Sequence, residues 1–222
     1  MSETHSELSS KIVTEKHVIG DHSFILHPYG GMYWEHHKIL IVSDTHFGKV
    51  MHFRKNGIAV PMGAIGENWE KLDSMIRFFH CKKIIFLGDL FHSEENIEWD
   101  HFKSLLNVYS GIDFVLVRGN HDILEMDRYI DAGIEIVESL HKDGLLFSHH
   151  PVDSSYYVIH GHIHPAVVMQ GKGLGKKKIS CFYFCEKYGI LPAFGSFTGT
   201  MRVEVNKQDD VYLIVGQKVI SV

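Results

Sequence analysis

Short apolar runs alternate with polar stretches along this chain, and the runs end alike. Ile39-Leu40-Ile41-Val42 leads into Ser43-Asp44-Thr45-His46, Ile84-Ile85-Phe86-Leu87 into Gly88-Asp89, and Phe114-Val115-Leu116-Val117 into Arg118-Gly119-Asn120-His121-Asp122. Further on, Leu145-Leu146-Phe147 leads into Ser148-His149-His150, and Tyr157-Val158-Ile159 into His160-Gly161-His162-Ile163-His164. Unbroken apolar runs of this length suit strands covered on both faces, which is the condition of parallel sheets. Each run delivers Asp, Asn or His at the same end. A parallel-rich arrangement would gather them at one carboxyl edge, where α/β proteins bind ligands.

Between the runs the period changes. Trp69, Leu72, Met75, Ile76 and Phe79 recur at helical spacing over 66–79, as do Trp99, Phe102, Leu105, Leu106 and Tyr109 over 97–109, and both stripes predict core-facing helices. A third helix is expected over 123–131, ended by Gly133. Upstream, Val18-Ile19, the turn signal Gly20-Asp21 and the run 23–26, closed by Pro28 and Gly30-Gly31, predict an antiparallel edge. Downstream, 171–178 reads as a flexible basic connection before strands at 178–185, 201–205 and 211–221, the last broken at Gly216-Gln217. The order β-rich, β/α, β-rich predicts two packed sheets flanked by helices, a layered α/β sandwich.

Composition narrows this picture. With 222 residues and 45% hydrophobic content, one substantial core is expected, hence a single domain over 1–222. No apolar run approaches the roughly 20 residues of a membrane helix, and the first ten residues are polar, so a soluble, cytoplasmic protein is expected. The formal charge of −5 argues against a generally basic nucleic-acid coat, while leaving room for local cationic clusters. Cys81, Cys181 and Cys185 are too few and too irregularly spaced for a disulfide framework or a zinc knuckle. The 18 histidines exceed what one site can use; His5, His17, His22, His27, His36, His37, His80, His101 and His141 lie outside the strand-end pattern and read as ordinary residues.

What remains is a donor set. Asp44, His46, Asp89, Asn120, His149, His162 and His164 offer oxygen and imidazole nitrogen without thiolate, which suits manganese, iron or zinc. Seven donors are too many for one tetrahedral ion, so two divalent ions are implied, with Asp89 the natural shared carboxylate. His150 and His160 stand beside His149 and His162 and could each replace a neighbour.

At these residues the chain resembles a known family. Asp44-Thr45-His46, Gly88-Asp89, Gly119-Asn120-His121-Asp122, Ser148-His149-His150-Pro151 and Gly161-His162-Ile163-His164 are similar to the motif series of the calcineurin-like metallophosphoesterases. The resemblance implies a four-layer α-β-β-α sandwich of two mixed sheets. It also implies one metal on Asp44, His46 and His164, a second on Asn120, His149 and His162, and Asp89 between them. His121 would face the substrate with Asp122 behind it.

A narrower resemblance, to the DNA-ligase-associated metallophosphoesterases, rests on His46-Phe47-Gly48-Lys49, Phe53-Arg54-Lys55-Asn56-Gly57, Pro61-Met62-Gly63 and the segment 191–199. It implies a manganese-dependent phosphodiesterase and endonuclease in bacterial DNA repair, acting on DNA and associated with ligase or repair proteins. Lys49 and Arg54 follow the first ligands closely enough for a cation to hold phosphate oxygens.

The expected reaction is phosphodiester hydrolysis by a hydroxide between two metals, with His121 as general acid and Asp122 orienting its ring. A phosphomonoesterase or nucleotide pyrophosphatase could use the same ligands. A non-catalytic interaction module would be free to lose them, and none is missing.

Overall fold

A computed structural model describes residues 12–50, 53, 57, 64–91, 97–122, 124–171, 175–196 and 198–222. The first sheet runs β1 (Glu15–Ile19), β2 (His22–Leu26), β3 (Met32–Trp34), β4 (Ile39–Ser43), β5 (Lys83–Leu87), β6 (Asp113–Val117) and β7 (Ile134–Val137), adjacent in that order. The first four are antiparallel, as the turn signals predict, and β4 to β7 are parallel.

The second sheet contains β8 (Leu140–Lys142), β9 (Leu145–Ser148), β10 (Tyr157–His160), β11 (Pro165–Gly171), β12 (Gly175–Phe184), β13 (Tyr188–Ile190), β14 (Met201–Arg202), β15 (Asp210–Val215) and β16 (Lys218–Ser221). Its order is β14-β11-β12-β13-β10-β9-β8, with β15 on β12 and β16 on β15. Its centre, β9, β10 and β13, is parallel, and β11 also pairs in parallel with β14.

Alternation along the strands sorts their side chains into layers. From β4, Leu40 and Val42 face the helices α1 (Ala64–Phe79), α2 (Ile97–Val108) and α3 (Met126–Asp131), where they meet Leu72, Met75, Phe102 and Tyr129. Ile39 and Ile41 face the other way, against Phe147, Ile159, Phe182 and Phe184 of the second sheet. Both faces of the run are dry, which is why it carries no polar residue. The two mixed sheets of the expected sandwich therefore form, and the helices named here cover the outer face of the first. On the outer face of the second lies a smaller cluster of Cys181, Tyr183, Ile190, Val211 and Leu213.

Three sequence expectations need correction. The basic stretch at 171–178 is not a loose connection: Gly171 and 175–178 belong to β11 and β12, paired from Ala166 opposite Ser180 to Gly171 opposite Gly175. Hairpin pairing satisfies the backbone whatever the side chains, so charge did not report the strand. The helix expected from 123 begins at Met126, because Asp122 turns its carboxylate back to the Gly119 N–H and closes the preceding turn. The strand expected over 201–205 pairs only at Met201–Arg202. No described helix is long and apolar enough to cross a membrane.

His27 illustrates a histidine used as core. It is fully buried, its Nδ1 accepts the Tyr29 N–H at 3.1 Å, and Tyr29, Phe78 and Phe79 surround the ring. Burial pushes its pKa from the usual 6.5 down to about 4. The folded value lies below the unfolded one, so this ring's contribution is complete above pH 6.5 and is lost as pH falls toward 4, by up to about 3 kcal/mol. Urea unfolding at several pH values should show His27→Leu with a flatter acid slope than wild type; equal slopes would refute the assignment.

Candidate functional site

The carboxyl ends of β4, β5 and β6 in one sheet and of β9 and β10 in the other meet at one edge of the sandwich. The turns there are unusual in their backbone. Of the described non-glycine residues with positive φ, Asp44, His46, Asp89, His162 and His164 lie at this edge with φ of 45–66°, and Lys38, His80 and Asp143 lie in ordinary turns. Such conformations cost on the order of 1–3 kcal/mol each and persist where the surroundings enforce them.

The enforcement is visible in close backbone approaches. A Cβ on Gly161 would lie 2.6 Å from Asp44 Oδ2 and closer still to Ser43 Oγ, and one on Gly119 would lie 2.3 Å from Asp89 Oδ1. Any side chain at either glycine would displace a candidate ligand. Asp122, 3% exposed, is the common fastener: Oδ2 accepts the N–H of Asp89 at 2.9 Å and of Gly119 at 2.7 Å, and Oδ1 accepts that of Leu90 at 2.7 Å. One carboxylate thus ties the Gly88-Asp89 turn to the Gly119-Asn120 turn. Sequence reasoning gave it a different task, orienting His121.

Donor atoms converge between these turns. The Leu87 carbonyl can only accept, so the 2.8 Å contact places the proton of His149 on Nδ1 and leaves the Nε2 lone pair outward. That lone pair faces Asn120 Oδ1 at 3.3 Å and Asp89 Oδ1 at 3.4 Å. In the same way His164 Nδ1 donates to the Gly199 carbonyl at 2.9 Å, and its Nε2 stands 3.1 Å from Asp44 Oδ1. His46 Nε2 lies 3.7 Å from Asp89 Oδ2. Asp44 Oδ1 is buried with no hydrogen-bond donor among the described residues.

Acceptors facing acceptors at these distances repel unless a proton or a cation stands between them. Burial pushes the Asp44 carboxyl up, but the His164 contact, the nearby His149 and the Ser43 hydroxyl outweigh it and hold it low. Burial acts to lower His164, and Asp44 reverses that, raising it. A buried carboxylate and a partly buried imidazole shifted in opposite senses by one contact describe a place for positive charge. Among the described residues, three sets of side chains have ligand atoms within 4.8 Å of one another: Asp44, His46 and His164; Asp44, Asp89 and His149; and His149, His150 and His162. The residues present fit two divalent ions of nitrogen and oxygen preference.

Other sequence candidates are distributed unevenly. The exposed His162 gives its N–H to Asp44 Oδ2 at 3.0 Å, and its ring is 5.0 Å from that of His149. Of the two alternative ligands, His150 joins the His149 and His162 group, whereas His160 is buried with Nδ1 on the Gly161 carbonyl and joins none. His121 is exposed; its N–H donates to Asp89 Oδ1 at 2.9 Å, and its ring is 5.7 Å from His46. Lys49 is half-buried, with its ammonium lowered by burial against the opposing charges of Asp89 and Asp44. Arg54 lies outside the described residues.

Supporting residues carried no sequence signal. Asn68 on α1 donates to the Thr45 carbonyl and accepts the Ser196 N–H, and Glu98 on α2 accepts the Gly48 N–H at 2.8 Å. Phe194 and Gly195 lie along the end of β4, donating to the carbonyls of Ser43 and Asp44. A polar cavity of about 530 Å³ adjoins Asn120 and His150, walled by Arg118 and Glu138.

Comparison with known proteins places this geometry. A search of the curated proteins found no match. The crystal structure of the Pseudomonas putida nuclease MPE superposes with a TM-score of 0.81 at 25% identity, covering 94% of this chain and all of that one. Weaker likenesses are to YfcE, a phosphoesterase from E. coli (TM-score 0.41, 13% identity, 83% of this chain and 97% of that one), and to an Aquifex aeolicus protein of unknown function (0.39, 21%, 57% and 78%). The family model for calcineurin-like phosphoesterase matches residues 37–182, which span every turn of the donor cluster. The chain belongs to the calcineurin-like phosphoesterase family.

Proposed function

We propose that this protein hydrolyses phosphodiester bonds of nucleic acid at a centre of two divalent cations. The observation that carries the reading is the convergence of ring nitrogens on carboxylate and amide oxygens, His149 Nε2 on Asn120 and Asp89 and His164 Nε2 on Asp44, at the joint edge of the two sheets. Likeness over nearly the whole chain to a structure described as a nuclease supports nucleic acid as the substrate.

Asp44, His46 and His164 would hold one cation and Asn120, His149 and His162 the other, with Asp89 shared. Manganese is the first ion to try, since the donors are nitrogen and oxygen throughout. When bound, such ions supply Lewis acidity to the phosphoryl oxygens and lower the pKa of a water toward about 7. The protein's own groups do the rest. His121, exposed beside His46, delivers a proton to the leaving oxygen, a contribution of about 10²–10⁴ in rate. The Lys49 ammonium, facing Asp44 and Asp89, offsets charge on a non-bridging oxygen. Asp122 acts through the backbone, holding the Asp89 and Asn120 turns in register.

Turnover of a phosphodiester and a phosphomonoester should be measured side by side with manganese. Wild type should prefer the diester and lose activity to a chelator; a monoester preference would replace this reading with a phosphomonoesterase. His121→Ala should keep its metal content and lose about 10²-fold or more on a poor leaving group, whereas Asp89→Ala should lose both metal and turnover. Asp122→Asn places an amide against backbone N–H groups, so unfolding should show a stability loss of about 1–3 kcal/mol, accompanied by weaker metal binding. An Asp122→Asn protein of wild-type stability would remove the fastening role.

A further inference from the structure

The arm made by β11, β12 and β14 takes no part in the chemistry above, yet it is built onto the metal edge. Tyr183 of β12 lies beside Ile190 of β13, and Ile190 beside His160 of β10. β12 is antiparallel to β13 and β13 parallel to β10, so the first half of β12 continues outward past the edge where β10 delivers His162 and His164. β11 starts at Pro165, directly after His164, and stays paired with β12 to Gly171, a projection of about 20 Å at a rise of roughly 3.3 Å per residue.

Register assigns the faces, since directly opposed residues share one. Arg202, Ala166, Ser180, Val168, Lys178, Gln170 and Lys176 lie on one side of the arm. Val167 and Ile179, on the other side, belong to the outer cluster with Cys181 and Tyr183. The lysine-bearing side therefore continues the inner face on which Phe182 and Phe184 meet the first sheet, the side from which Asp44 and Asp89 arrive. Lys176, Lys178, Gln170 and Arg202 are all exposed. Lys178 Nζ donates to the Thr200 carbonyl at 3.1 Å, next to the Gly199 carbonyl that orients His164, which anchors the cationic face to the metal edge. Glu204 is the acidic residue of this segment, and the chain as a whole carries −5. A polyanion approaching such a protein is repelled on average, so attraction must be local.

We propose that the inner face of this arm, through Lys176, Lys178 and Arg202, is a track for the phosphate backbone of a nucleic-acid strand passing the metal centre. The inference rests on the phosphodiester reading above and adds to it that the substrate extends well beyond the scissile bond. Lysine ammonium groups and a bidentate guanidinium bind phosphate without reading bases, so the track is indifferent to sequence. Gln170 supplies a neutral amide donor on the same face.

The test uses the full chain carrying Lys176→Gln and Arg202→Gln, two exposed positions. Binding of a labelled single-stranded oligonucleotide, without added metal, is followed across salt concentrations. Manganese-dependent cleavage of the same oligonucleotide is compared with that of bis(4-nitrophenyl) phosphate, which is too short to reach the arm. The slope of log affinity against log salt should flatten by about 0.7 for each cation removed, about 1.4 for the pair. The ratio of kcat/KM on the oligonucleotide to that on the small diester should fall about tenfold. Lys176→Arg with Arg202→Lys should restore both. An unchanged slope and ratio would overturn the proposal, as would the same loss in the charge-conserving variant, which would mark a structural effect. If wild type hydrolysed neither substrate, the phosphodiester reading would fail, while the salt slope would still decide whether the arm binds the strand.

Discussion

The arrangement of this protein depends on an electrostatic conflict at the joint edge of its two sheets. Imidazole lone pairs are aimed at carboxylate and amide oxygens across 3.1–3.4 Å, with their other ring nitrogens committed to backbone carbonyls. With the carboxylates ionised and the histidines neutral, these contacts are unfavourable. Positive charge between them relieves the conflict, and the candidate ligand groups gathered here suit the divalent metals that the family uses.

Holding them requires stiffness that the turns do not possess by themselves. Five candidate ligands sit at positive φ, where an L-residue without support would relax. The support is backbone-deep: Asp122 takes three N–H groups from two different turns, Gly119 lets the turns after neighbouring strands β5 and β6 approach, and Gly161 lets the opposite sheets approach, without a Cβ between them. Segment 194–195, from near the end of the chain, donates to the carbonyls of Ser43 and Asp44. The strain is thus borne by the whole sandwich, whose two dry cores on either side of the first sheet keep β4, β5 and β6 from shifting.

The family likeness and the geometry contribute different things. Membership states that phosphoester chemistry belongs to this constellation. The geometry adds detail within it: Asp122 accepts backbone N–H groups of two turns, and of two spare histidines His150 stands with the candidate ligands while His160 turns into the sheet. The arm beyond His164 concerns the reach of the substrate, a property that the metal motifs do not encode.

Much of the site was legible in the amino-acid order because a buried parallel strand and the polar turn after it are both local features. An apolar run ending in Asp, Asn or His shows its own burial and its own exit, so Asp44, Asp89, Asn120, His149 and His162 could be named before any coordinates, as could the helices over 66–79 and 97–109. Strands read from periodicity were less secure: 175–178 is glycine and lysine without alternation, and only pairing with β11 makes it strand. The sequence by itself determined which side chains could meet a metal. Which atoms face each other, which histidine turns away and which residues fasten the turns were decided by tertiary structure, since those depend on contacts between segments far apart in the chain, such as Asp44 with His162 and Asn68 with Ser196.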